Sequence, residues 1–152
     1  MNPDWLRFAP RITIANCRET SPVSGDYNCL AYAAGDHDQW WEPFVIPPEQ
    51  PGIYWPPGVP PDARVEDWEA ALACRGYQPC VSDCLEAGLV KVAIYGRDGI
   101  ALHAARQLKT GWWTSKLGQL EDIAHQNPDV LGGGDYGEVV RILARVRTPL
   151  DP

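Results

Sequence analysis

Residues 90–115, VKVAIYGRDGIALHAARQLKTGWWTS, decide the fold class of the chain. They contain three β-rich runs separated by two short turns with glycine, and turns of this kind join antiparallel strands. The predicted strands cover residues 90–95, 100–108 and 112–115. We therefore expect a three-stranded antiparallel meander in the second half of the chain.

Two further elements are predicted after the meander. A short helix is expected at residues 120–125, and a loop follows at 127–134. Residues 139–146 then alternate in the manner of a final strand. One face of that strand carries Val140, Ile142, Ala144 and Val146.

Two helices are predicted before the meander. The first begins at Cys29, where Asp26 or Asn28 would cap the free amides of the first turn, and it ends near Gly35. The second lies within residues 62–76, where apolar residues recur at helical spacing and acids crowd the first turns. Helices followed by strands indicate an α+β fold in which the N-terminal helix that carries Cys29 packs on a C-terminal antiparallel sheet.

The remaining N-terminal segments are predicted to be mostly loop. Residues 11–14 form a short β-like run among prolines and polar residues. Eight of the fifteen prolines lie between residues 43 and 61, and this density excludes a regular helix or a central strand. Aromatic and aliphatic residues are interleaved with these prolines. We therefore expect an ordered loop that packs on the domain and forms one wall of a cleft.

Length and charge limit the functional classes. A chain of 152 residues is near the common size of one domain, so we expect a single domain over 1–152. The formal net charge of −7 argues against nucleic acid as a partner, because binding to polyphosphate needs clustered Lys and Arg. No run approaches the length of a membrane span, and the amino end lacks the features of a secretory signal. We expect no membrane partner and a cytoplasmic protein.

A thiol and an imidazole are the strongest candidates for chemistry. The five cysteines are an odd number, so at least one cannot pair within the chain, and this favours a reducing compartment. Cys29 opens a predicted helix, and His103 lies on a predicted strand with the small neighbours Ala101 and Ala105 on its face. A helix N-terminus and a nearby imidazole both lower the pKa of a thiol. We predict that Cys29 is a nucleophile and that His103 is its general base.

Several polar residues are candidates to orient the imidazole of His103. A two-residue turn after the second strand would place Lys116 opposite His103, whereas a three-residue turn would place Leu117 there. Ser115 is our choice because it is polar, uncharged and close to the required strand position, and Gln107 is the second choice. The remaining alternatives are Thr114 and Asp122.

The start of the helix also offers donors for a developing oxyanion. The backbone amide of Cys29 and the side chain of Asn28 are candidates, because a helix N-terminus directs free N–H groups toward negative charge. Simple capping of the helix by Asn28 is the alternative reading.

These residues resemble two known groups of proteins. The order of Tyr27-Asn28-Cys29 at a helix start and His103 on a following strand resembles the papain-like superfamily of cysteine peptidases and amidases. Local motifs are similar to an uncharacterised bacterial domain family over about residues 26–147. These motifs are Asn28-Cys29, His103-Ala104-Ala105-Arg106, Trp113-Thr114-Ser115-Lys116-Leu117-Gly118, Asp122-x-x-His125 and Tyr136-Gly137.

The papain-like resemblance implies a thiol hydrolase. In such an enzyme the Cys29 thiolate attacks a carbonyl, backbone amides hold the oxyanion, and His103 assists water to release the acyl group. The substrate would contain a peptide, isopeptide or peptidoglycan-type amide bond, and no cofactor is expected. One alternative is a noncatalytic protein-binding domain with a papain-like shell. The other is a zinc protein, with ligands drawn from His103, His125, Asp122, Cys74, Cys80 and Cys84.

Overall fold

A seven-stranded antiparallel sheet forms the centre of the structure. The computed structural model describes residues 2–42, 53–118 and 120–152. In chain order the strands of this sheet are β1 Cys17–Ser21, β4 Gln78–Cys80, β5 Leu89–Arg97, β6 Ile100–Gln107, β7 Trp113–Lys116, β8 Asp122–His125 and β9 Glu138–Val146. Their spatial order is β1-β8-β7-β6-β5-β9-β4. A separate parallel pair consists of β2 Trp40–Trp41 and β3 Ile53–Tyr54.

The helices are short and few in the described part of the chain. They are α1 Trp5–Phe8, α2 Cys29–Ala34 and α3 Val65–Ala73, with a 3₁₀ helix at Pro128–Leu131. The fold is therefore mixed α+β and mostly β, and α2 packs on β6 and β7 as expected. None of the described helices is long and apolar enough to cross a membrane.

The sheet separates two hydrophobic cores. The helix-side core contains residues of α2 and α3 together with Trp41, Ile94 and Ala104. The opposite core lies under the N-terminal segment and the 3₁₀ helix, and it contains Tyr95 and Ala105. Adjacent strand residues enter different cores because side chains alternate across a strand. Which core a residue faces thus decides what its side chain can reach.

The predicted meander is confirmed by β5, β6 and β7. The turn between β5 and β6 has positive φ at Asp98 (53°) and Gly99 (80°), which suits a tight hairpin. Between β6 and β7 the paired residues are Arg106 with Thr114 and Gln107 with Trp113. This register corresponds to the three-residue turn considered above. Only these two pairs join the strands, so the ladder does not extend to His103.

Two predicted elements are wrong. Residues 122–125 form the strand β8, which pairs with β1 and β7, and not a helix. Residues 11–14 are not a strand either: Ile12 packs into the opposite core from a turn, and the N-terminal strand is Cys17–Ser21. Pairing with a neighbouring strand outweighs local propensity in both places. The sheet therefore includes a strand from the N-terminal part of the chain.

The predicted helices and the proline-rich segment agree with the structure where it is described. The helix α3 covers Val65–Ala73, and α2 ends at Gly35, whose φ of 89° is left-handed. Residues 43–52 lie outside the described part of the chain. Beyond them, Ile53–Tyr54 pairs with β2, and the Trp55 Nε1 donates to the Val59 carbonyl at 3.1 Å. This part of the predicted loop is ordered against the domain.

Candidate thiol site and its cleft

Cys29 is the first residue of α2 and opens onto a cleft. Asn28 caps the helix: its Oδ1 accepts from the Ala31 amide at 3.1 Å and from the Trp41 amide at 3.1 Å. The Cys29 side chain is half-buried and lines a cavity of about 320 Å³. The other lining residues are Asn28, Trp40, Trp41, Glu42, Ala63, Trp68, Ala101, Leu102 and Gly118.

The surroundings of the Cys29 sulfur favour the neutral thiol. Burial raises the pKa of Cys29 to about 11, and the charge of Glu42 adds to this effect. Backbone amides of Ala104, Leu30 and Cys29 itself oppose it. The expectation of a lowered thiol pKa is therefore wrong, although backbone amides at the helix start do oppose the effect of burial.

His103 lies on the other side of the sheet. It pairs directly with Tyr95 across β5 and β6, and directly opposed residues share a face. Its imidazole stacks on the Tyr136 ring, with the ring centroids 4.0 Å apart. Both ring nitrogens are buried and have no hydrogen-bond partner in the described part of the chain. Burial, followed by the charge of His125, holds the pKa of His103 well below its usual range.

The predicted hydrogen-bonded pair of Cys29 and His103 is therefore absent from the structure. Cys29 packs against the helix-side core, whereas His103 contacts residues of the opposite core. The backbone next to His103 is nevertheless close to Cys29. The Ala104 N–H, which belongs to the peptide bond between His103 and Ala104, interacts with the Cys29 sulfur. The sequence analysis assigned His103 to the face of the sheet that carries α2. This assignment is wrong because of a register shift between Tyr95 and Gly96. The shift places Ala101 in the helix-side core and leaves Ala105 in the opposite one.

Ser115 orients a histidine, but that histidine is His125. The Ser115 Oγ lies 2.8 Å from the His125 Nε2, and the His125 Nδ1 lies 2.9 Å from the Asn127 carbonyl. The Nδ1 must donate to that carbonyl, so the Nε2 accepts from the Ser115 hydroxyl. Both side chains are fully buried, and burial lowers the pKa of His125 to about 4. This pair is a structural contact between β7 and β8.

The two predicted positioning amides are already engaged. The Asn28 Nδ2 donates to the Trp41 carbonyl at 2.9 Å, so the capping reading holds and the amide does not point at an oxyanion. The Gln107 Nε2 donates to the Asp83 carbonyl at 3.0 Å. Neither side chain contacts His103. The oxyanion donors that remain near the sulfur are backbone amides.

A buried ionic cluster lies beside the site and was missed by the sequence analysis. The Tyr27 hydroxyl donates to the Asp122 Oδ2 at 2.5 Å, and the Lys116 Nζ lies 3.9 Å from the Asp122 Oδ1. The Lys116 Nζ also lies 5.3 Å from the Tyr27 ring centroid and donates to the Leu120 carbonyl. Burial lowers the pKa of Lys116, and nearby acids, including Asp122, oppose this. Thr114 and Lys116 are two residues apart on a predicted strand and so lie on one face of it. Two polar residues on the face toward α2 were the sequence signal for a buried polar cluster.

The comparisons with known proteins identify a family. Residues 18–144 match the model of a domain of unknown function, DUF7689. The chain belongs to this family. No curated protein and no solved structure matches the chain.

The DUF7689 match covers the whole candidate site. It begins in β1 and ends in β9, so it includes α2, the cleft and the helix-side core, whereas Trp5, Ala9, Ile12 and Cys17 of the opposite core precede it. The zinc hypothesis finds no support at this site. Within the described residues, no group of three or more His, Cys, Asp or Glu side chains is arranged to hold a metal ion, and the five cysteines are unpaired. Asp122 and His125 point to opposite faces because they are three residues apart on a strand.

Proposed function

We propose that the protein is a thiol hydrolase that cleaves an amide bond, with the Cys29 sulfur as nucleophile and His103 as the base. The observation that carries this proposal is the position of Cys29 at the start of α2. There its side chain opens onto an aromatic cleft and its sulfur faces the backbone amides of Leu30 and Ala104. A papain-like order of nucleophile helix and base strand is part of this proposal.

The chemistry has two steps. In the first, the Cys29 sulfur bonds to the substrate carbonyl carbon, the thiol proton passes to the His103 imidazole and then to the leaving amine, and the C–N bond breaks. In the second, water forms a C–O bond to the thioester carbon, the C–S bond breaks, and the water proton passes through the imidazole to the sulfur, which releases a carboxylic acid and regenerates the thiol. The amides of Leu30 and Ala104 would donate to the oxyanion in both steps.

The mechanism requires His103 to reach the sulfur when substrate is bound. Both groups are neutral at rest, since the pKa of the thiol is raised and that of the imidazole is lowered. Leaving a buried polar group without a partner costs about 1–3 kcal/mol, and a hydrogen bond in the occupied state would offset this cost. The β6–β7 ladder ends at Arg106 and Thr114, so the movement breaks no pairing between these two strands at His103. Catalytic hydrogen bonds commonly tighten only in the substrate complex.

A second candidate is the noncatalytic binding domain. The observation that favours it is the absence, among the described residues, of any side chain that orients His103. The raised pKa of the Cys29 thiol points the same way, because a neutral thiol is a poor nucleophile. In this candidate the cleft binds a peptide and Cys29 only contributes to its wall.

Turnover measurements distinguish the two candidates. Purified protein is incubated with a library of peptide aminocoumarin amides, and the variants Cys29→Ala and His103→Gln are compared with Cys84→Ser, which changes an exposed cysteine. The hydrolase predicts turnover that both site variants abolish and Cys84→Ser retains. Binding of library peptides that Cys29→Ala leaves unchanged, without turnover by the wild type, favours the binding domain.

A further inference from the structure

The cleft beside Cys29 combines aromatic walls with a carboxylate. Three tryptophans, Trp40, Trp41 and Trp68, line it, and most of the other lining residues are small or apolar. Among the described residues that line it, Glu42 is the one that carries a charge. An aromatic surface next to a carboxylate is a favourable environment for an organic cation.

The aromatic walls are fixed in place. The Trp40 Nε1 donates to the Gly25 carbonyl at 2.7 Å, and the Trp41 Nε1 donates to the Asp36 Oδ2 at 3.1 Å. Tyr54 packs edge-on against Trp41, with the ring centroids 5.1 Å apart. Because hydrogen bonds and packing already order these rings, a ligand would not have to order them on binding.

The Glu42 carboxylate is available to a ligand. Its backbone amide is fixed by the Tyr54 carbonyl at 3.0 Å, whereas its side chain makes no hydrogen bond or ion pair with any described residue. Glu42 and Cys29 line the same cavity, so a ligand bound to the carboxylate would lie in the cleft that the sulfur faces. Arg75 lies 5.0 Å from the Trp41 ring centroid, and its charge is balanced by Asp36, whose pKa it helps to lower.

Trp68 contributes apolar ring surface to the cleft. It is 8 % exposed, and its Nε1 is buried, so the ring and not the N–H is offered to a ligand. The ligand that fits the aromatic walls and the Glu42 carboxylate carries an ammonium group on an alkyl chain.

We propose that the cleft recognises an organic ammonium, and that the lysyl side chain of a peptide is its natural form. Glu42 pairs with the ammonium, and Trp40 and Trp68 provide cation–π and apolar contact with the alkyl chain. This inference rests on the proposed function for the statement that the ligand is a substrate. The binding preference itself needs no turnover.

Binding titrations test the inference without requiring hydrolysis. The indole signals of the protein are followed by NMR while N-acetyl-lysine methylamide or the uncharged N-acetyl-norleucine methylamide is added. We expect the lysine compound to bind about tenfold more tightly than the norleucine compound. Glu42→Gln is expected to remove this difference by weakening lysine binding alone, whereas the exposed control Glu19→Gln keeps it.

Each result separates this inference from the proposed hydrolase. Equal affinities for the two compounds, no saturable binding of either, or a lysine preference that survives Glu42→Gln would overturn the ammonium site. If Glu42→Gln fails to fold, Trp40→Leu serves as the second variant, and it must weaken lysine binding. Lysine-selective binding without turnover of any amide would contradict only the proposal that the protein is a hydrolase. Amide turnover without a preference for lysine would contradict only the proposed ammonium site.

Discussion

At the scale of single residues, the resting state of Cys29 is governed by burial more than by its position at a helix start. The amides of Ala104 and Leu30 stabilise a thiolate, but loss of hydration outweighs them. The residue types of Asn28 and Cys29 predict the cap and the donors, because these depend on local sequence. The depth of the site does not follow from sequence, because it depends on residues that are distant in the chain, such as Trp68 and Leu102.

The first residue-scale prediction concerns the pH dependence of thiol reactivity. The rate of Cys29 alkylation by iodoacetamide in the unliganded protein is expected to rise with pH and to reach its midpoint near 11, because only the thiolate reacts. Peptide mass spectrometry gives the rate at each cysteine. The exposed Cys84 is the internal reference for an accessible thiol. A Cys29 midpoint below that of Cys84 would show that the thiol is activated at rest.

The second residue-scale prediction concerns the ionic cluster. Tyr27→Phe removes the hydroxyl that donates to Asp122 and leaves the buried carboxylate with one partner fewer. The free energy of unfolding in urea is expected to fall by about 1–3 kcal/mol. Tyr32→Phe is the matched control, since it loses only a hydroxyl contact with Thr114, which keeps its own bond to the Ile123 carbonyl. An equal fall in the free energy of unfolding in both variants would mean that the hydrogen bond of Tyr27 to a charged group stabilises the fold no more than a neutral hydroxyl contact.

At the scale of elements, regular patterns were predictable and irregular ones were not. The meander follows from strand propensity and glycine turns, and α3 follows from helical spacing. The register shift at Tyr95 has no local signature, so the face of His103 was assigned wrongly. The short segment Asp122–His125 is compatible with a helix or a strand in isolation, and its pairing with β1 and β7 decides between them.

The element-scale prediction tests the contact that holds the end of β5. Gly137 has a φ of 74°, and a Cβ there would lie 2.2 Å from the Gly96 carbonyl oxygen. Gly137→Ala is therefore expected to lower the free energy of unfolding by about 2–4 kcal/mol. It should also disturb Tyr136, which stacks on His103. Gly25→Ala meets no atom within 4 Å and should unfold like the wild type in the same urea titration. Equal stability of the two variants would contradict the close approach.

At the scale of the whole molecule, one sheet holds a thiol cleft on one face and buried histidines on the other. The order of α2, β6 and β7 was predictable, and it brings Cys29 to the peptide that follows His103. The contribution of an N-terminal strand to the sheet was not, because Cys17–Ser21 has little strand propensity of its own. Residues 17–21 become a strand because they pair with β8, and not because of their own strand propensity.

Stability of the whole molecule is expected to fall in mild acid. The pKa values of His103 and His125 are lowered in the folded state, so both states bind no proton above the unfolded value near 6.5. Below it the unfolded chain takes up protons that the fold excludes, so the contribution of His125 to stability declines from about pH 6.5 and levels off near 4, its folded pKa. Urea unfolding at a series of pH values measures this decline. His125→Gln should flatten it, whereas the exposed His37→Gln should not.

The central claim is that His103 serves the Cys29 sulfur once the cleft is occupied, and the alkylation rate of Cys29 by N-acetyl-alanyl chloromethyl ketone tests it most directly. This reagent places a carbonyl in the cleft and needs no knowledge of the substrate. The account predicts that His103→Gln slows this reaction by about 10²-fold or more while folding, followed by circular dichroism, is retained. A folded His103→Gln variant that reacts at the wild-type rate would contradict it.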